Sequence, residues 1–207
     1  MKHITKGAEP QDFTNWKGLA NEDWQPTYEN MEGHIKRLVK AALMQEQGYI
    51  CCYCERRLTD SDSHIEHFMP QHNENVDALD FNNLLCSCQQ RLKKGDPIHC
   101  GSAKGEWFDE LLTISPLSAD CESRFKFTAD GEIQPANVND EGAKESIRHL
   151  NLNLPKLNSM RKNALEPFLD ENLTDDEFSE FVKGYLEYSP VNGYSIFWTT
   201  INKLFSA

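Results

Sequence analysis

The chain has 207 residues, of which 39% are hydrophobic and 26% charged, and its formal net charge is -12. That balance suits a packed core and argues against global disorder, and no apolar run approaches the roughly 20 residues that a membrane span requires. The acidity also argues against unaided gripping of nucleic acid, because neutralising phosphates normally takes a basic face. The first residues, "MKHITKGAEP", contain no apolar signal segment, so a soluble, cytoplasmic protein without membrane contacts is expected. In that reducing setting the seven cysteines are read first as a metal site rather than a disulfide framework.

Residues 1–30 are polar, with Trp16 and Trp24, and read as an extended arm that packs by its aromatics. Residues 31–47 read as a helix, because Ile35, Leu38, Val39, Ala42 and Leu43 recur at spacings of three and four. Asn30 is its expected cap and Gly48 its expected end. Residues 49–105 lack long periodic segments and are expected to form a small hairpin and a short helix organised by a metal. "RFKFTADGEIQ", 124–134, reads as a hairpin turning at Asp130 and Gly131. Helices are expected near 141–150, from Pro155 to about 169, and from Thr174, where Glu177 would close a capping box. The face of this third helix would be Phe178, Phe181, Val182, Tyr185 and Leu186. A last helix, about 193–205, would present Phe197, Ile201, Leu204 and Phe205. Residues 166–187 hold eight acidic side chains and one lysine, which reads as a solvated helix face or as a docking surface for a basic partner.

Cys51 and Cys54 form a C-x-x-C pair, a spacing that turns two thiolates toward one tetrahedral ion. Cys86, Cys88 and Cys100 are the candidates to complete the shell. The preferred set is Cys51, Cys54, Cys88 and Cys100, holding structural Zn²⁺, with Cys52 and Cys86 pointing into the core. Buried free thiols are one competing reading. A redox pair is another, but it normally sits in a βαβ setting that does not surround Cys51.

"HIEHFMP" brings together His64, Glu66 and His67. On a strand, His64 and Glu66 share one face and His67 takes the other. A carboxylate suits Mg²⁺ or Mn²⁺, and a neutral imidazole takes a proton from water near neutral pH, a pairing useful for phosphodiester hydrolysis. Asn83 follows in "FNNLLCSC". His3, His34 and His149 read as surface or packing residues.

The order C-x-x-C, then "EH" with a following proline, then "NL", then cysteine, then C-x-x-x-K-G resembles the HNH nucleases with a zinc-stapled core. "IEHFMP", "FNNLLCSCQ" and "HCGSAKG" are similar to the branch found in bacterial anti-phage loci, the PtuB-like proteins of Septu systems and retron-associated defence loci. "MKHITKGAEP", "ISPLSADCESRFKFTADGEI" and "LNLNLPKLNSMRKNALEPF" extend the likeness to about residue 170. The resemblance implies an α+β fold: a ββα-metal core with a small hairpin, flanked by N-terminal and C-terminal α-helices. It divides the chain into an arm and helix (1–48), a zinc-stapled HNH core (49–110), and a hairpin with a helical region (111–207), packed as one compact unit. It further implies His67 as general base, Glu66 as acidic metal ligand, Asn83 as the residue that orients the base, and the four cysteines as the zinc staple. One position departs: Gly101 stands where His or Asn completes the catalytic metal site. His99, His64, His72, the substrate or a partner is left to supply that ligand. Lys104 would meet a phosphate as a point charge. Arg56, Arg57, Arg91, Lys93 and Lys94 are the local cations expected beside the scissile phosphate.

These few cations suggest an enzyme delivered by a partner. The resemblance agrees: it implies an ABC-type, PtuA-like ATPase and, in retrons, a reverse transcriptase with its RNA–DNA product. The expected function is a toxic, metal-dependent endonuclease acting on DNA by default or on RNA. An impaired zinc-stapled adaptor and a purely structural zinc protein are the alternatives.

Overall fold

The computed structural model describes residues 1–73, 76–169 and 173–206. The helices are α1 (Gln11–Lys17), α2 (Gly33–Glu46), α3 (Gly101–Lys104), α4 (Glu141–His149), α5 (Pro155–Leu165), α6 (Asp175–Leu186) and α7 (Trp198–Phe205). The strands are β1 (Ser63–His67), β2 (Leu84–Cys88), β3 (Phe125–Phe127) and β4 (Ile133–Pro135). The mixture of helices with two small antiparallel sheets matches the α+β expectation at that level.

The N-terminal segment differs from the expected extended arm, because α1 lies within it. Seven residues make barely two turns, too few for a visible period, and no side chain caps the helix. Phe13 and Trp16 hold it down from one face, both buried, with ring centroids 6.1 Å apart. Helix α2 buries Ile35, Val39, Leu43 and Met44. Glu32, not Asn30, occupies its N-cap position, and Asn30 instead accepts from the Thr27 amide in the preceding turn. Gly48 follows the last turn at φ +62°. A Cβ there would meet the Tyr194 ring at 2.3 Å, so both the conformation and the space call for glycine.

Strands β1 and β2 pair antiparallel, with His64 opposite Ser87 and Glu66 opposite Leu85. Every residue of β2 is buried. After the loop that carries Cys100, α3 adds a single turn beside this pair. Strands β3 and β4 form the second hairpin, turning through Asp130 and Gly131 as the sequence indicated.

Helix α4 is capped by Asp140, which accepts from the Ala143 amide and pairs with Arg124. Helix α5 begins on Pro155 at its first turn and gives way at Glu166–Leu169 to a tighter 3₁₀ turn. Pro167 lies in that turn and has no N–H to continue an α-helix. The Thr174–Glu177 capping box opens α6. The last helix starts later than expected. Gly193 bridges to Ser189, and Phe197 adopts a left-handed backbone at φ +52°, so α7 begins only at Trp198.

The main core runs from Met1 and Ile4 through α1, α2, the cysteine-rich segment and the second hairpin to Leu157. A smaller cluster joins Leu165, Phe168, Val182 and Ile201, with Phe178 and Phe205 packed against it. Phe181 stays 40% exposed although its ring lies 4.7 Å from that of Phe168. Asp170 and Glu171 of the acidic segment lie outside the described residues. No helix among the described residues is long and apolar enough to cross a membrane.

Candidate active site

Four cysteine sulfurs meet where the two turns of the central segment converge. The Sγ atoms of Cys51, Cys54, Cys88 and Cys100 all lie within 4.8 Å of one another, and all four residues are buried. Four sulfurs about 2.3 Å from a tetrahedral Zn²⁺ stand roughly 3.8 Å apart, and the Cys54–Cys88 separation is 3.7 Å. The turns use left-handed residues: Glu55 after the first pair, and Cys100 at the start of α3. Burial pushes the Cys100 thiol well up, whereas at Cys51 the contacts from Cys100 and its other sulfur neighbours outweigh burial and hold the thiol low. Four buried sulfurs this close together are a donor set that a soft divalent cation would hold as thiolates. The residues fit a four-thiolate metal site. Cys52 and Cys86 are buried in the main core, as expected, and burial raises both thiols.

Glu66 is buried on β1. Tyr53 donates its hydroxyl to Oε1 at 3.0 Å, and the Lys104 ammonium lies 3.2 Å from the same oxygen. Oε2 faces His64 Nε2 at 3.5 Å. Burial alone would raise this carboxyl, but the His64 contact and the Lys104 charge outweigh it and keep the group below its usual range, hence ionised. Lys104, expected to meet a phosphate as a point charge, is instead turned inward to Glu66. It is buried, and its ammonium also donates to the His67 carbonyl at 3.0 Å.

His67 emerges on the opposite face of β1. Its ring packs edge-on against Tyr28, centroids 4.5 Å apart. Its Nε2 is 3.0 Å from the Ala78 carbonyl. A carbonyl only accepts, so Nε2 carries the proton and Nδ1 keeps its lone pair. Burial lowers the pKa of this imidazole, more strongly than the Ala78 bond and the Glu66 charge raise it, which favours the neutral form. Asn83 ties the loop between the strands together. Its Oδ1 accepts from the Met69 amide at 2.8 Å, its Nδ2 donates to the Met69 carbonyl at 2.9 Å, and its own carbonyl accepts from Phe68. It acts on the chain just beyond His67 and, among the described residues, makes no hydrogen bond to the ring itself.

The remaining candidates separate. His99 turns to the sulfurs, with Nδ1 3.0 Å from Cys100 Sγ, and its buried Nε2 has no partner among the described residues. His72 is exposed in the loop after β1. Arg57 is a brace: its guanidinium donates to the carbonyls of Asn192 and Tyr194, so it does not flank a substrate path as the sequence suggested. Arg56 is taken up by Asp62 at 2.6 Å. Arg91, Lys93 and Lys94 remain exposed. A further basic row, outside the cations expected from the sequence, lies on α2. Lys36, Arg37 and Lys40 of α2 line a cleft shared with Tyr28 and His64. Their spacing put them off the apolar face of α2, but only the packing of α2 along β1 turns that face toward His64.

This arrangement defines a small α+β protein whose β1–β2–α3 unit joins a metal-fit thiolate cluster to an ionised Glu and a neutral His. No family model matches the chain. Two curated proteins are similar to it over most of their length. "Retron Vc95 putative HNH endonuclease" from Vibrio cholerae serotype O1 biovar El Tor is 28% identical over 173 residues, covering 80% of this chain and 82% of that protein. "Retron Ec83 putative HNH endonuclease" from Escherichia coli is 26% identical over 208 residues, covering 81% of this chain and 80% of that protein. The comparisons support the resemblance to HNH endonucleases of retron loci that the motifs raised.

Proposed function

We propose that the protein is a metal-dependent HNH endonuclease that hydrolyses a phosphodiester bond with water. The observation that supports this most is the His67 ring, held by Ala78 through Nε2 so that Nδ1 keeps its lone pair and has no hydrogen-bond partner among the described residues, next in sequence to a carboxylate kept ionised despite burial. In this reading Nδ1 accepts the proton of the attacking water. Asn83 holds the loop after His67 in place so that the ring keeps its direction. Glu66 is the protein's acidic ligand for Mg²⁺ or Mn²⁺, its Oε1 steadied by Tyr53 and Lys104. That ion, when bound, stabilises charge on the phosphate and leaving oxygen. Zn²⁺ on Cys51, Cys54, Cys88 and Cys100 anchors the two turns that flank the site. The cleft with Lys36 and Arg37 offers local phosphate contacts within an otherwise acidic surface, and Arg91 offers another at the loop.

Water as nucleophile needs no 2′-hydroxyl, so DNA is the default substrate and RNA the second. The biological reading is a toxic effector of an anti-phage system of the PtuB kind, as in Septu or retron loci. It would be delivered by a PtuA-like ABC-type ATPase and, in a retron, restrained by the reverse transcriptase with its RNA–DNA product. Exposed Leu169, Phe181 and Leu204 near the acidic α6 suit a partner contact. A second reading, an inert zinc-stapled adaptor, draws on Gly101 and on the Lys104 ammonium at Glu66.

The test incubates the protein, alone and with its ATPase, with plasmid DNA and with total cellular RNA, in Mg²⁺, in Mn²⁺ and in chelator. Cleavage in either divalent ion and none in chelator is expected. No cleavage in any combination would favour the adaptor.

A further inference from the structure

The missing side chain of Gly101 does not leave open space. A Cβ built there would lie 2.2 Å from Glu66 Oε2 and 2.9 Å from His64 Nε2. The volume that a ligand side chain at residue 101 would need is already filled by a carboxylate oxygen and an imidazole nitrogen. Both come from β1, where alternate residues share a face. We propose that His64 is the second protein ligand of the catalytic divalent ion, supplying from the strand what the first residue of α3 lacks. The proposal rests on the metal-dependent reading above and names the site's second donor.

Three observations support it. His64 Nε2 and Glu66 Oε2 are 3.5 Å apart, close to the roughly 3 Å that separates adjacent ligands on one octahedral ion. Glu66 Oε1 is engaged by Tyr53 and Lys104, so Oε2 is the oxygen turned toward His64. The His64 side chain is 22% exposed and lines the cleft with Lys36 and Arg37, so this donor is open to solvent beside two cations. Of the other imidazoles, His67 takes the opposite face of β1 with Nε2 bonded to Ala78, and His99 is fully buried with Nδ1 turned to Cys100. A carboxylate with an imidazole is a mixed oxygen and nitrogen set, and imidazole suits transition ions better than Mg²⁺. Mn²⁺ is therefore expected to bind more tightly than Mg²⁺.

The experiment titrates the zinc-loaded protein with Mn²⁺ and follows the paramagnetic resonance signal of the free ion, with zinc content recorded for each variant. His64→Ala should weaken Mn²⁺ binding at least about tenfold with zinc content unchanged, and Glu66→Gln should weaken it as well. Gly101→Asn should also weaken it, because its Cβ displaces the carboxylate. Weakening by Glu66→Gln but not by His64→Ala would overturn the His64 assignment and leave the metal-dependent reading in place. Tighter binding by Gly101→Asn would overturn it in the same way. Unchanged binding in both His64→Ala and Glu66→Gln would overturn the assignment and the metal reading together.

Discussion

At the scale of single residues, the site depends on side chains that fix backbone or orient a neighbour. Asn83 is buried and closes a two-way bond with Met69, bracketing the chain that leaves His67. Asn83→Ala leaves a buried amide and carbonyl without partners, which costs about 1–3 kcal/mol. Urea unfolding should report a loss of that size, and cleavage should fall with it. Unchanged stability would mean that the loop does not need this clamp. Tyr53 offers a milder change. Tyr53→Phe keeps the buried ring and removes only the hydroxyl that steadies Glu66. Divalent-ion affinity should drop by about tenfold, measured by the same Mn²⁺ titration, while the thermal midpoint moves little.

At the scale of elements, the central unit is short: two five-residue strands and a four-residue helix. Elements of this size do not hold themselves, and the four sulfurs join the turns that carry them. Cys54→Ser should abolish stoichiometric zinc and lower the thermal midpoint by many degrees, and chelation should do the same to the unaltered protein. A variant that melted like its parent would show that the cluster is mere thiol packing. What was legible in the sequence follows the same logic. Helices α5 and α6 were readable because Pro155 and the Thr174–Glu177 box are local signals, and α4 was placed within a residue of its bounds. The second hairpin was readable because Gly131 must take φ +86°. The four-cysteine set was readable by counting donors. Helix α1 was not, since its two buried aromatics make no period, and the start of α7 was not, since a left-handed Phe197 has no sequence signature. That His64 and Glu66 share a face was readable from strand alternation, but the closeness of the Gly101 backbone to both was not, because it arises only once α3 is folded against β1.

At the scale of the whole molecule, a net charge of -12 and the proposed phosphodiester substrate pull in opposite directions. The structure offers a local answer in the cleft beside His64, where Lys36 and Arg37 stand on one side of α2. Paired charge reversal, Lys36→Glu with Arg37→Glu, should weaken nucleic-acid binding at low salt and flatten its salt dependence, without changing zinc content. Binding that is indifferent to the pair would move the substrate path toward Arg91 and the 89–97 loop. The central claim is that His67 takes the proton from the attacking water, and comparing His67→Ala with the unaltered protein on the substrate that is cut tests it most directly. A loss of about 10²–10⁴ in cleavage rate, with zinc content and folding retained, is the predicted result. Equal cleavage by the two proteins would contradict it.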